Sequence, residues 1–213
     1  MKIFIDTADV DAIRRAAETG LVDGVTTNPS VIAKSGRDFK EVVRQICQMI
    51  PGPVSAEGNA EGVDALVEEA REIAKISPNI VVKILMSAQG MKAVEILEAE
   101  NIKTNVTMVF SPTQAHLAMK ARASYVSIVL SRLDAICNES DALVVDTMRI
   151  KKNYGFNSEI IAGSMKTQNH LLSCLRQGVD IVTIPDSLFF QMFKHPLTDA
   201  AEIEFKRDWQ KFS

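Results

Sequence analysis

The stretch from Ile80 to Phe110, IVVKILM-SAQGMKAVEILEAEN-IKTNVTMVF, holds two short apolar runs around a segment of helical spacing. Each run is strand-sized and nearly continuous, as expected where both faces of a strand are covered. Strand, helix and strand in this order make a βαβ unit, which implies parallel pairing. The polar exceptions inside the runs include Lys83, Asn105 and Thr107.

The same alternation extends in both directions. Upstream lie KIFIDT from Lys2 to Thr7, a helix VDAIRRAAET capped by Asp9 and closed by Gly20, and GVTTN from Gly24 to Asn28. DFKEVVRQICQMI then runs helically to Pro51, and PVSAE follows from Pro53 to Glu57. Val63, Leu66, Val67, Ala70, Ile73 and Ala74 mark one face of a further helix, which Pro78 stops. Downstream, Pro112 opens a helix, YVSIVLS starts at Tyr125, and a long helix from about Asp141 to Tyr154 ends at Gly155. SEIIAGS, a helix through HLLSCLRQG, DIVTIP, DSLFFQMF and a polar helix ending EFKRDWQKF complete the chain. Eight βα units in 213 residues, about 27 each, predict an α/β fold of one domain, the (β/α)8 TIM barrel. The alternative is an open doubly wound sheet. It is disfavoured because no GxGxxG follows the first strand.

Composition narrows the function. With 24 basic and 27 acidic residues and no basic block, the chain offers no electrostatic reason to bind nucleic acid or a membrane. Cys47, Cys137 and Cys174 are scattered and odd in number, which favours a reducing compartment over a disulfide scaffold. His116, His170 and His195 lie far apart, so no metal site is expected. Asp6 interrupts the first apolar run, no signal-peptide core fits, and a cytoplasmic protein is expected.

Reactive groups in such a barrel come from the C-terminal ends of the strands. Those ends carry Asp6, Thr26, Thr27, Asn28, Glu57, Lys83, Asn105, Thr107, Ser131, Arg132, Ser164 and, just beyond, Lys166. A lysine inside VVKILM is the most informative of them. Burial favours the free amine, which attacks carbonyls; equally, Lys83 could snorkel or pair statically with Asp6 or Glu57. Asp6 and Glu57 are either acid/base groups or a turn support and a solvated carboxylate. Arg132 and Ser164 sit where late barrel loops hold phosphate, with a surface pair between Arg132 and Asp134 as the plainer account. Phe205, Trp209 and Phe212 form an apolar stripe on the charged last helix, which must pack on its own barrel or on a neighbour.

FIDTAD, DGVTTNPS, VSAE, VVKI, NVTMVFSPTQA and HPLTD resemble the transaldolase family, and within it the short-chain members that group with fructose-6-phosphate aldolase. The resemblance runs over essentially the whole chain. It implies a class I aldolase barrel without metal or organic cofactor, acting on sugar phosphates. It implies Lys83 as the Schiff-base lysine, Asp6 as the proton-transfer group, and Glu57 with Thr107 as holders of a catalytic water. It implies Asn28 as the residue orienting the donor, with Thr26 beside it, and Arg132, Ser164 and Lys166 at the phosphate. A dihydroxyacetone unit would pass from fructose 6-phosphate or sedoheptulose 7-phosphate to erythrose 4-phosphate or glyceraldehyde 3-phosphate. The alternatives are an aldolase releasing free dihydroxyacetone, whose branch typically carries Gln where Glu57 stands, and an inactive sugar-phosphate binder. The resemblance also implies a ring-based homo-oligomer, a pentamer or decamer, with the helix at about 198–212 reaching a neighbour. The chain departs from the family pattern at SIVLSR, where Val129 replaces an aromatic, and at AGSMK in place of the commoner AASVR. The loop after Glu57 is short, and Arg122 stands where Gly is common.

Overall fold

The computed structural model describes residues 1–27, 32 and 36–212. The apolar runs become β1 Lys2–Asp6, β2 Gly24–Thr26, β3 Val54–Glu57, β4 Ile80–Leu85, β5 Thr104–Val109, β6 Tyr125–Val129, β7 Glu159–Gly163 and β8 Ile181–Ile184. They close into a barrel in chain order, every neighbouring pair parallel and β8 returning to β1. The described helices are α1 Val10–Ala17, α2 Phe39–Met49, α3 Val63–Ala74, α4 Ala88–Ala99, α5 Pro112–Lys120, α6 Ser131–Asp134, α7 Ser140–Tyr154, α8 Gln168–Gln177, α9 Asp186–Gln191 and α10 Pro196–Trp209. No helix among the described residues is long and apolar enough to cross a membrane.

Local chemistry sets where these helices begin and end. The Asp9 carboxylate accepts from the amides of Asp11 and Ala12, and Ser87, Ser111 and Thr167 accept in the same way at the starts of α4, α5 and α8. Gly155 ends α7 in a left-handed conformation (φ +65°). Arg122, after α5, also has a left-handed backbone (φ +67°), which explains why glycine suits that place.

Strand residues alternate between two cores. One set, including Ile5, Val25, Val54, Val82, Ile84, Val106, Val126, Ile128, Ile160 and Val182, meets the helices outside the barrel. The other set lies inside it: Phe4, Val81, Tyr125, Ile161 and Ile181 form a buried apolar plug towards the N-terminal ends of the strands. Gly24 makes room for that plug. A Cβ there would come within 2.6 Å of the Phe4 ring and 2.7 Å of the Pro53 carbonyl oxygen.

Two features differ from the sequence expectation. The sixth run was expected to stay extended through Ser131. The amides of Leu130 and Ser131 do continue the ladder to the carbonyls of Gly163 and Ser164, but Leu130 adopts helical backbone and α6 begins at Ser131. Also, the phenylalanines of DSLFFQMF, whose apolar side chains lead one to expect core, are core only in part: Phe189 is buried, while Phe193 is 49% exposed.

The Thr147 hydroxyl is buried inside α7 without a hydrogen-bond partner among the described residues. Thr147→Val keeps the shape and removes the orphaned group, so it is expected to stabilise the fold by about 1 kcal/mol in chemical denaturation.

Candidate active site

Side chains on a strand alternate faces, so the inner face of each strand continues two residues beyond the plug. From Phe4 that step reaches Asp6, and from Val81 it reaches Lys83. Glu57, Lys83 and Asn105 are in register across β3, β4 and β5, and Asp6 is in register with Thr26 on β2. The inner face thus turns polar towards the C-terminal ends of the strands, where Asp6, Thr26, Glu57 and Lys83 gather.

Lys83 Nζ lies 3.5 Å from Glu57 Oε2, and the Lys83 side chain is only 13% exposed. It also donates to the Thr27 carbonyl oxygen at 3.2 Å. The ion pair that the sequence left open is therefore present, with Glu57 as the partner. Asp6 Oδ1 accepts from the Thr26 hydroxyl at 2.9 Å. Burial pushes the Asp6 carboxyl above its usual value, while the Thr26 hydroxyl and the Lys83 charge pull it down. An amine, two carboxylates and a hydroxyl within one charge-coupled cluster can attack a carbonyl and move protons at the resulting adduct.

Thr107 lies on the same face of β5 as Asn105, paired in register with Leu85, and is buried. No described residue hydrogen-bonds its hydroxyl. Between Val106 and Val109 the pairing of β5 with β6 shifts, and Met108 takes a left-handed backbone (φ +59°). Such a bulge re-aims the side chains around it. Asn28 lies outside the described residues.

A second group follows β6 and β7. Ser164, with φ +56°, places Oγ 2.8 Å from Ser131 Oγ. Arg132 directs Nη1 towards Met108 Sδ at 3.6 Å and has no carboxylate partner among the described residues. The surface pair suggested for Arg132 is not formed. Asp134 instead meets His170 Nε2 at 2.8 Å and accepts from the Ser140 amide at 3.2 Å. Lys166 is exposed, and its amide donates to His170 Nδ1 at 3.4 Å.

Around the charged cluster is a hydrogen-bonded layer in which sequence reasoning named Asn105 and Thr26 but passed over Ser55, Ser127 and Thr183. Asn105 donates to Ser55 Oγ at 3.2 Å and accepts from Ser127 Oγ at 2.7 Å. Thr183 Oγ1 lies 2.6 Å from Thr26 Oγ1. Their signal was a polar residue in an apolar run at the same parity as Lys83. Two surface cavities, of about 750 and 590 Å³, lie elsewhere, against α3 and around Lys103, Arg122 and Phe156.

Lys83, paired with Glu57 and coupled by charge to Asp6 at the C-terminal end of a closed (β/α)8 barrel, fits the class I aldolase barrels. The sequence profile described as Transaldolase/Fructose-6-phosphate aldolase matches residues 3–212. A protein of Geotalea uraniireducens named "Probable transaldolase" is 51% identical over 211 residues, covering 99% of both chains. One of the same name from Clostridium botulinum is 50% identical over 210 residues, covering 99% of this chain and 98% of its own. Among solved structures, thiamine phosphate pyrophosphorylase from Pyrococcus furiosus superposes with a TM-score of 0.59 at 16% identity, over 86% of this chain and 85% of that one, a likeness of fold alone. The chain belongs to the transaldolase/fructose-6-phosphate aldolase family.

The raised Asp6 carboxyl has a consequence for stability. The folded protein binds that proton more tightly than the unfolded chain does, so its contribution is fully present below the unfolded carboxylate range and is lost as pH rises through the folded value. Asp6→Asn is therefore expected to be more stable than wild type in urea at neutral pH, with the gap closing as the pH is lowered through the carboxylate range.

Proposed function

We propose that this protein is a transaldolase working through an imine on Lys83. The observation that carries the proposal is the setting of Lys83, little exposed, paired with Glu57 and electrostatically coupled to Asp6. The free amine attacks C2 of a ketose phosphate to give a carbinolamine. Water held by Glu57 and Thr107 relays the protons for its dehydration, water leaves, and an iminium forms. Asp6 takes the proton of the C4 hydroxyl, the C3–C4 bond breaks, and its electron pair flows into the iminium to give a three-carbon enamine. The aldose phosphate departs. An acceptor aldose phosphate enters, the enamine attacks its aldehyde, and Asp6 returns a proton to the new hydroxyl oxygen. Hydrolysis of the imine frees the product ketose.

Asn28 orients the donor, and Thr26 steadies Asp6. Arg132, uncommitted to a carboxylate, joins Ser164 and Lys166 around the phosphate. Remote binding energy of this kind aligns the reacting carbons. The substrates are fructose 6-phosphate or sedoheptulose 7-phosphate as donor and erythrose 4-phosphate or glyceraldehyde 3-phosphate as acceptor, the exchange of the non-oxidative pentose phosphate pathway. Three free cysteines agree with a cytoplasmic setting.

Borohydride in the presence of fructose 6-phosphate is expected to add a reduced three-carbon adduct to Lys83, seen by mass spectrometry. Lys83→Ala is expected to lose the adduct and more than about 10³-fold in kcat; an adduct of equal yield in the variant would refute the assignment.

Lys166, which replaces the commoner arginine in AGSMK and in that resembles the aldolase branch, motivates a second reading: cleavage of fructose 6-phosphate with release of free dihydroxyacetone. Glu57 weighs against it. Free dihydroxyacetone measured with and without acceptor separates the two; transaldolase predicts little release and a large acceptor-dependent flux.

We further propose that α10 docks on a second copy of the chain in a ring-based homo-oligomer, a pentamer or decamer. None of its residues is buried, and Leu197, Ile203, Phe205 and Trp209 are 74%, 61%, 66% and 74% exposed, with Phe212 just beyond at 85%. So much exposed apolar surface on one helix is unusual on an isolated chain. The double variant Phe205→Ser, Trp209→Ser is expected to fall from an oligomeric to a monomeric mass in light scattering.

A further inference from the structure

Asp6 is linked to more than its neighbour on β2. Thr26 Oγ1 donates to Asp6 Oδ1 at 2.9 Å and lies 2.6 Å from Thr183 Oγ1. An ionised carboxylate only accepts, and a hydroxyl has one proton to give. With Thr26 committed to Asp6, Thr183 must therefore donate to Thr26, and the chain reads Thr183 to Thr26 to Asp6. Were Asp6 protonated at Oδ1, the direction would reverse and Thr183 would need an acceptor of its own. Thr183 is buried, and no described residue other than Thr26 meets its hydroxyl. The chain is thus directional: it stays fully bonded while Asp6 Oδ1 accepts, and the charged carboxylate is the strongest acceptor for it.

Gly163 accounts for the pose of Thr183. It lies in β7, buried, with ordinary strand backbone, so conformation does not require a glycine there. Space does: a Cβ at Gly163 would stand 3.0 Å from Thr183 Cγ2, tighter than nearly all real contacts. The bare position lets the Thr183 methyl turn towards β7 and its hydroxyl towards Thr26.

We propose that Thr183 is a positioning residue for Asp6, holding the carboxylate through Thr26, and that Gly163 is bare so that Thr183 can take this pose. The proposal rests on the reading of Asp6 as the proton-transfer group. The other charges around Asp6 do not replace the chain. β2 and β8 bring none, Lys83 of β4 faces Asp6, and Glu57 of β3 is engaged with Lys83. In α1, Asp9 caps its own helix and Asp11 pairs with Arg14, while Arg15 pairs with Asp186 of α9 at 3.7 Å.

The test is a titration of the Asp6 side-chain carbon by NMR in the resting protein, run beside kcat against pH. Thr183→Val is expected to move the Asp6 midpoint upward. It should also lower kcat roughly threefold to tenfold at a fixed pH on the acid limb, with KM and the plateau little changed. Thr183→Ser keeps the hydroxyl and is expected to restore the wild-type limb. Gly163→Ala, which displaces Thr183 without deleting it, is expected to shift the midpoint in the same direction by less. A Thr183→Val titration that overlays wild type, or an equal shift in Thr183→Ser, would overturn the proposal. Retention of kcat by Asp6→Asn would instead overturn the acid/base reading beneath it, a result the NMR titration of Thr183→Val keeps distinct.

Discussion

A lysine placed in the middle of a buried parallel strand creates a problem that the surrounding structure has to answer. Its ammonium form needs an opposing charge nearby, and its free amine needs protection from bulk water. Other strands answer the first need: β3, next to β4, supplies Glu57 in register with Lys83, and β1, three strands round the barrel, supplies the charge of Asp6. Parallel pairing makes this possible. Every strand delivers its C-terminal end to the same side, so groups far apart in the chain converge without a dedicated loop. Of the other polar interior residues, Ser55, Asn105, Ser127, Thr26 and Thr183 are hydrogen-bonded to one another or to Asp6, whereas no described residue bonds the Thr107 hydroxyl.

The barrel therefore divides its labour along its axis. The plug of Phe4, Val81, Tyr125, Ile161 and Ile181 is purely a matter of packing, with Gly24 cut back to admit the Phe4 ring. The other end carries the buried charge: Asp6 is kept partly against its preference for water, beside the left-handed backbones of Met108 and Ser164.

Much of this was legible in the chain. The strand order, the barrel and the polar residues at strand ends follow from hydrophobic period and from the position of Lys83 within VVKILM. The partner of that lysine was not, because register across strands is a property of closure and not of any local run. The same holds for Thr183, which looks like an ordinary strand threonine in DIVTIP until β8 returns to β1 and brings it to Thr26. Arg132 shows a different limit. Its neighbour Asp134 is the obvious partner by spacing, yet a histidine 36 positions further on takes that carboxylate because α8 folds back over α6. The motifs named the family at once, since they depend on chemistry at single positions; the network beneath them depends on geometry that no motif records.

The apolar plug also fixes how molecules travel. With the floor of the barrel sealed, anything that reaches Lys83 arrives and departs through one doorway. In the proposed reaction, donor and acceptor therefore share the same entrance.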